Sequence, residues 1–179
     1  MVKTHNMMYF ELSRDPHISN PLVVRPSNIN IELYSDFASL EQVQHIPDLA
    51  VGYFQNSVKL EVYDILFDSI IWISDKLKRL IELYEPDISF KGVRLYPEDL
   101  NDNCSYLYWW ADFPKIDFSF DPNKDLPEPL KLNQKLIHEK NIFLIDKILQ
   151  RKLIVSLPLA ESMLRRDMGG FTLHPVILY

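Results

Sequence analysis

The sequence predicts an α+β fold, in which one domain combines a mostly antiparallel sheet with two principal helices. The chain has 179 residues, 47% of them hydrophobic, which is the size and composition of a single globular domain. Several short runs alternate apolar and polar residues, as half-buried strands do. At two places a β-branched run ends at a serine, and the apolar period then changes from that of a strand to that of a helix.

The N-terminal third is predicted to consist mainly of strands. In Met7–Leu12, the side chains of Met8 and Phe10 alternate with those of Tyr9 and Glu11. Further strands are expected at Leu22–Val24, Asn30–Phe37, Gly52–Phe54 and Val58–Val62.

The first strand-to-helix transition is at Ser74. The β-branched run Ser69–Ile73 predicts a strand, and Ser74 is a natural N-cap for a helix over Ser74–Glu85. The helix carries one apolar stripe at helical spacing, formed by Leu77, Leu80, Ile81 and Tyr84. Proline then ends the helix, and Phe90–Tyr96 returns to a strand-like composition.

A similar arrangement is found near the C-terminus. Leu153–Val155 is β-branched, Ser156 is a second N-cap, and a helix is expected over Leu157–Met168. The final segment Phe171–Tyr179 reads as a strand in which Pro175 indicates an edge or a bulge. Aligning the two serines superimposes both segments, so they are either two related strand–helix–strand units or two independent examples of a common one.

The domain organisation predicted from these patterns is a single domain over residues 1–179. Within it, sub-units 1–120 and 131–179 are joined by a loop over 121–130, which is rich in proline and charge. The one cysteine, Cys104, cannot form an intramolecular disulfide, which agrees with a reducing compartment.

No local motif predicts a catalytic residue, a metal site or a cofactor. The five histidines have no histidine or cysteine neighbour at metal-ligand spacing. Asp121, Asn123 and Asp125 match the start of a calcium-binding loop, but Leu126 replaces the required glycine and Leu132 the required glutamate. We therefore expect a binding protein rather than an enzyme. An enzyme that divides acid and base roles between paired carboxylates, such as Asp112 and Asp117, is a third alternative.

The charge distribution favours a basic protein partner. The net charge is −6, and the seven acids and two bases between Glu98 and Asp125 give this middle region −5. Repulsion from phosphates argues against nucleic-acid binding, whereas complementary charge would accelerate encounter with a basic protein. The same acids could alternatively belong to an ordinary solvated loop.

The acidic region also contains the aromatic run Tyr106–Phe113. If its aromatic side chains face solvent, they form an interface patch or a platform for stacking sugars. If both faces of the strand are covered, the same residues belong to the core. The predicted partner-binding residues are Tyr108, Trp109, Trp110, Asp112, Asp117 and Asp121.

Three segments in this order resemble a known family. They are Ile73-Ser74-Asp75-Lys76-Leu77, the stretch from Trp110 to Ser119, and Asn141-Ile142-Phe143 leading to Ile154-Val155-Ser156. Over about residues 60–179 the chain is similar to bacterial immunity proteins of polymorphic toxin systems, in the group numbered eleven. Leu144 follows Phe143 where that family has arginine.

The resemblance implies a non-catalytic protein that binds a toxin made by the same cell and blocks it. We expect such a protein to act in the cytoplasm, without a membrane anchor, because its uninterrupted apolar stretches, such as Ile70–Ile73, are far shorter than the roughly 20 residues that a bilayer requires. The alternative from a different class is an adaptor or carbohydrate-binding module that uses the aromatic patch.

Overall fold

A computed structural model describes residues 8–19, 24–25, 47–54, 61–67, 70–98, 104–116, 129–137, 139–147 and 150–179. The described helices are α1 (Asp75–Tyr84), α2 (Gln134–Ile137) and α3 (Leu157–Arg165). The described strands are β1 (Tyr9–Arg14), β2 (Val24–Arg25), β3 (Leu49–Phe54), β4 (Ile65–Phe67), β5 (Ile71–Ser74), β6 (Phe90–Pro97), β7 (Tyr106–Ala111), β8 (Lys115–Ile116), β9 (Lys131–Leu132), β10 (Ile142–Lys147), β11 (Gln150–Ser156) and β12 (Phe171–Leu178).

The strands form two sheets rather than one. Sheet A has the order β2-β3-β6-β7-β5-β4, and sheet B has the order β8-β10-β11-β1-β12-β9. Neighbouring strands are antiparallel except in the pairs β3–β6, β8–β10 and β9–β12. The predicted class, a mostly antiparallel α+β domain with two principal helices, is confirmed.

The two sheets repeat one topology. The first unit consists, in chain order, of β3, β4, β5, α1, β6 and β7. The second unit has the equivalent elements β9, β10, β11, α3 and β12, and its sixth element is β1, the strand from the N-terminus. The strand order is β3-β6-β7-β5-β4 in one unit and β9-β12-β1-β11-β10 in the other. The two similar strand–helix–strand segments of the sequence therefore lie at equivalent places in the two sheets. The sheets do not divide at residues 121–130, because β1 belongs to sheet B.

The register of the two units is also the same. Around the middle strand of sheet A, Tyr108 lies opposite Ser74 and Val93. Around the middle strand of sheet B, Tyr9 lies opposite Ser156 and Val176. These rows define which positions are equivalent. In both units, tyrosine on the middle strand lies beside the serine at which the helix begins.

The largest core lies between the sheets and contains both long helices. Helix α1 contributes Leu77, Leu80 and Ile81, and helix α3 contributes Leu159, Ala160 and Met163. They pack against the inner-face residues of both sheets, including Ile73, Ala111, Leu144, Leu153 and Val155. A smaller core covers the outer face of each sheet.

One polar junction lies where β5 meets α1. The Ser74 hydroxyl donates to the Asp64 carboxylate at 2.6 Å and accepts from the Leu77 N–H at 3.1 Å, so it caps the helix. Asp64 also reaches the connection between the second unit's helix and β12. Its carboxylate accepts from the Gly169 N–H at 3.1 Å, and its own N–H donates to the Gly169 carbonyl at 3.2 Å.

The equivalent junction in the second unit reaches back to the first. The fully buried Ser156 hydroxyl donates to the Asn141 side-chain carbonyl at 2.8 Å. The Asn141 N–H donates to the carboxylate of Glu85, the residue that caps the C-terminal end of α1. Each unit therefore ties its own helix start to the segment that follows the other unit's helix, through one Asp or Asn residue.

Most of the strand and helix predictions on described residues are confirmed, with shifted ends. Both helices begin one residue after the expected serine cap, but α3 ends at Arg165 rather than Met168. Val62 is outside any strand, and Asn30–Phe37 lies outside the described residues. Pro175 lies in β12 and is opposite Phe10 of β1. On its other side β9 pairs only with Ile177 and Leu178, so β12 is an edge strand at Pro175, as predicted.

The reciprocal junction predicts a large effect of Asp64→Ala. The substitution removes the acceptor for both the Ser74 hydroxyl and the Gly169 N–H, so we expect a loss of about 2–3 kcal/mol in the free energy of unfolding. Glu161→Ala, which breaks an exposed helix pair with Arg165, serves as the control and should cost about 0.5 kcal/mol or less. Urea denaturation measures both, and equal losses would contradict the role of Asp64.

The buried tyrosines predict lower stability at alkaline pH. Burial raises the pKa of Tyr9 to about 12, helped by the charges of Glu139 and Glu85, and burial also raises the pKa of Tyr108. The unfolded chain loses the Tyr9 proton near pH 10 while the fold retains it, so stability is full below about pH 10 and falls toward pH 12. Tyr9→Phe should make this fall shallower in urea titrations, with the exposed Tyr179→Phe as control. An unchanged slope in Tyr9→Phe would refute the assignment.

Candidate functional site

The predicted aromatic patch is not on the surface. Tyr108 and Trp110 are each 2% exposed and belong to the outer core of sheet A, together with Phe54, Trp72 and Leu95. The Tyr108 hydroxyl donates to the Tyr63 carbonyl at 2.6 Å. The expectation that these two aromatic side chains contact a partner is corrected, because the outer face of β7 is covered and its large side chains fill the core.

Trp109 lies on the opposite face of β7 and is half-buried against the main core. The ammonium nitrogen of Lys78 lies 4.8 Å from its ring centroid and 5.0 Å from that of Phe90. A cation over two aromatic rings is an internal contact that fixes α1 on sheet A. The indole of Trp109 is therefore already engaged within the fold.

The predicted acids have different outcomes. Asp112 directly follows β7 and is partly exposed, and its backbone N–H donates to the Ser89 carbonyl at 3.0 Å. Asp117 and Asp121 lie outside the described residues. The acidic middle region as a contact surface therefore stays a prediction. Of its three predicted partner-binding acids, Asp112 is the one within the described residues.

A cleft of about 460 Å³ opens on the outer face of sheet B. Its polar side chains come from the three central strands β1, β11 and β12, and residues just before β9 form one wall. The lining residues are Glu11, Ser13, Pro129, Leu130, Lys152, His174 and Pro175. Glu11 is held by pairing on both sides, with Ile154 of β11 and His174 of β12, whereas β12 at His174 is paired with β1 alone.

An ion pair lies in the floor of this cleft. The ammonium nitrogen of Lys152 donates to a Glu11 carboxylate oxygen at 2.8 Å, and the side chains are only 16% and 15% exposed. Removing two charges from water is costly, and the cost often exceeds the gain from their attraction. The pair is thus weak evidence for stability.

A second polar group lies beside the pair on the same face. The Ser13 hydroxyl, the Thr172 hydroxyl and the Nε2 atom of His174 are mutually in contact, at 2.8, 3.1 and 2.9 Å. His174 lies directly opposite Glu11 across the β1–β12 pair. The cleft therefore combines one cation, one carboxylate, an imidazole and two hydroxyls within one small area.

Sheet A has apolar side chains at the positions of this ion pair. Counting from the matched serine–tyrosine rows, Glu11 is equivalent to Trp110, and Lys152 is equivalent to Ile70. Trp110 and Ile70 are both buried in the outer core of sheet A. The backbone thus accepts an apolar pair here, so the ion pair and the cleft of sheet B are not requirements of the fold.

Sequence reasoning missed the cleft because its residues are far apart in the chain. Glu11 and Lys152 are separated by 141 positions, and Ser13 and His174 by 161. The polar alternation of β1 places Glu11 and Ser13 on one face, but only the pairing of β1 between β11 and β12 brings the partners together. The alternation of charged and apolar residues in β1 was the available signal.

Two further searches concern metals and membranes. Among the described residues, no three or more His, Cys, Asp or Glu side chains lie close enough together to hold a metal ion. Within the same residues, no helix has the length and apolar character needed to cross a bilayer. The chemistry available in the described cleft is ionic contact and hydrogen bonding.

The comparison of the two units predicts how the ion pair contributes to stability. Lys152→Met leaves the Glu11 carboxylate without its cation and should cost about 2–4 kcal/mol in the free energy of unfolding. The double variant Glu11→Leu with Lys152→Ile imitates the apolar pair of sheet A and should lie within about 1 kcal/mol of the parent protein. Chemical denaturation of the complete double-mutant cycle measures both values. A double variant as unstable as the sum of its single variants would show that the fold requires the pair.

In comparisons with known proteins, the sequence matches no protein-family model and no curated protein. A functional assignment therefore depends on the chemistry of the residues described above and on the resemblance carried by the short segments in the sequence.

Proposed function

We propose that the protein is an immunity protein that binds a cognate bacterial toxin in the cytoplasm and neutralises it by protein–protein occlusion. On this proposal it is not an enzyme and uses no cofactor. The toxin approaches the outer face of sheet B and places side chains in the cleft between Glu11, Lys152 and His174.

The observation that carries this proposal is the difference between the two units. They share topology and register, yet one outer face is closed by large apolar side chains and the other opens into a polar cleft. A buried ion pair retained where an apolar pair would fit is a feature that selects partners rather than one that stabilises the fold. Its position on the paired strands β1 and β11 suits the rigid recognition of another protein.

The resemblance to immunity proteins gives additional support, because two of its segments are the two junctions of the fold. Ile73–Leu77 spans the β5–α1 junction, and Ile154–Ser156 leads into α3. Leu144, where the family has arginine, is buried in the main core between the sheets. In this chain that position packs the core, so we assign it no contact with the toxin.

Charge supports a toxin with a basic surface. The net charge of −6 attracts a basic protein over a distance and accelerates its encounter, and it contributes less to the final affinity. Asp112, with Asp117 and Asp121 beyond the described residues, is the alternative contact region. Asp112 follows a strand of sheet A and the cleft is on sheet B, so substitutions can test the two surfaces separately.

The aromatic-patch alternative is not developed further. A sugar-stacking platform requires exposed ring faces, and the rings of Tyr108 and Trp110 are buried. No described feature therefore favours the carbohydrate-binding module over the toxin partner.

Co-expression tests the proposed function. The gene beside this one should encode a toxin, and the protein should restore growth to cells that produce it and bind it in purified form. Survival of toxin-producing cells without this protein would contradict the proposal.

Matched variants then locate the contact. His174→Trp fills the cleft with a large ring and should weaken toxin binding at least tenfold in calorimetry, because it blocks entry to the polar floor. Leu83→Trp, at an exposed position of α1, is the control and should bind as the parent does. If Asp112→Lys abolishes binding while His174→Trp has no effect, the contact is the acidic middle region rather than the cleft.

A further inference from the structure

We propose that the cleft on sheet B is a receptor for a carboxylate group, which the toxin supplies as an aspartate or glutamate side chain. This inference rests on the proposed function, because it names the toxin group that enters the cleft. The stated occupant follows from the donors on the cleft floor that the fold does not use.

The cleft floor has donor groups that the fold leaves partly unused. Lys152 has three N–H groups, and its only hydrogen bond among the described residues is the one to Glu11. Ser13 and Thr172 each bring a hydroxyl proton, and His174 brings an imidazole. Among the described residues that line the cleft, the carboxylate is that of Glu11, and it is already paired with Lys152. An incoming group that accepts hydrogen bonds can use the remaining N–H groups of Lys152.

The hydroxyl–imidazole group can direct one proton into the cleft. If Nε2 of His174 carries a proton, it can donate to the Thr172 hydroxyl, which then donates to the Ser13 hydroxyl. The Ser13 proton is then free to point into the cleft that this residue lines. If Nε2 has no proton, it accepts a hydroxyl proton, and both hydroxyl protons are used inside the group. An anion selects the first arrangement because it gains a donor.

The unused donors of the floor favour an anion over a cation. The charges of Lys152 and Glu11 cancel each other, and Lys152 has N–H groups that make no hydrogen bond to a described residue. A guanidinium or ammonium group would find one acceptor, in Glu11, and would be repelled by Lys152. A carboxylate is repelled by Glu11, but it gains charge-assisted hydrogen bonds from Lys152 and Ser13, which are about twice as strong as neutral ones.

The cleft is large enough to hold one side chain of a protein partner. A volume of about 460 Å³ is at the small end for ligand clefts and holds an acidic side chain with its flanking backbone. The walls are Pro129, Leu130 and Pro175, which offer apolar contact to the methylene groups of that side chain. A polar floor with apolar walls matches the shape of a glutamate side chain.

Titration with propionate, which has the carboxylate and methylene groups of a glutamate side chain, tests the inference on the intact protein. Nuclear magnetic resonance should show saturable shifts of the His174 imidazole signals, because the anion fixes the proton on Nε2. Propionamide has the same shape without the charge and should produce at least tenfold weaker binding. Equal shifts with propionamide, or no saturation with propionate, would overturn the proposal.

Variants identify the donors. Lys152→Met and Ser13→Ala should each weaken propionate binding at least tenfold, since each removes one donor to the anion. Lys131→Met removes an exposed lysine of the neighbouring strand β9 and should leave binding unchanged. Ser13→Ala keeps the ion pair, so it gives a clear result even if Lys152→Met unfolds. Full propionate binding by Ser13→Ala would refute the proposed proton arrangement.

The result also separates this inference from the proposed function. A protein that neutralises the toxin but shows no saturable propionate binding is an immunity protein whose cleft does not take a carboxylate. A protein that binds propionate through Lys152 and Ser13 but no toxin has the receptor site without the proposed partner.

Discussion

The fold depends on a pair of reciprocal polar junctions. In each unit the serine at the start of the helix donates to a polar residue just before the edge hairpin, Asp64 before β4 and Asn141 before β10. That residue also bonds to the segment that follows the other unit's helix, at Gly169 or Glu85. Because Asp64 and Asn141 each serve both units, neither helix can move without disturbing the other unit. The main core and the matching register of the two sheets are organised around this linkage.

Two units with one backbone can diverge at their outer faces without loss of the fold. In sheet A, the outer face of the middle strand carries Tyr108 and Trp110, and packing closes it. In sheet B, the equivalent strand carries Tyr9 and Glu11, and only the tyrosine end is packed in the core. The burial of one face contributes stability, and on the proposed function the open face is free for recognition. This division accounts for an ion pair in sheet B at positions where sheet A has Trp110 and Ile70.

Sequence patterns identified the parts of this structure that depend on local chemistry. Helix α1 could be predicted because a capping serine, an apolar stripe and a proline all lie within one short segment. The burial of the Tyr108 and Trp110 side chains could not be predicted in this way. Alternation shows which residues share a face of a strand, but not whether the rest of the fold covers that face. The cleft was missed for a related reason, since a strand from the N-terminus completes the C-terminal sheet and brings Glu11 to Lys152.

The structure of the complex between this protein and the toxin encoded beside its gene tests the central claim most directly. The account predicts that an acidic toxin side chain lies in the sheet B cleft, with its carboxylate within hydrogen-bonding distance of the Lys152 ammonium and the Ser13 hydroxyl. A complex in which the toxin covers Asp112 and the end of sheet A, and leaves the cleft open to solvent, would contradict it.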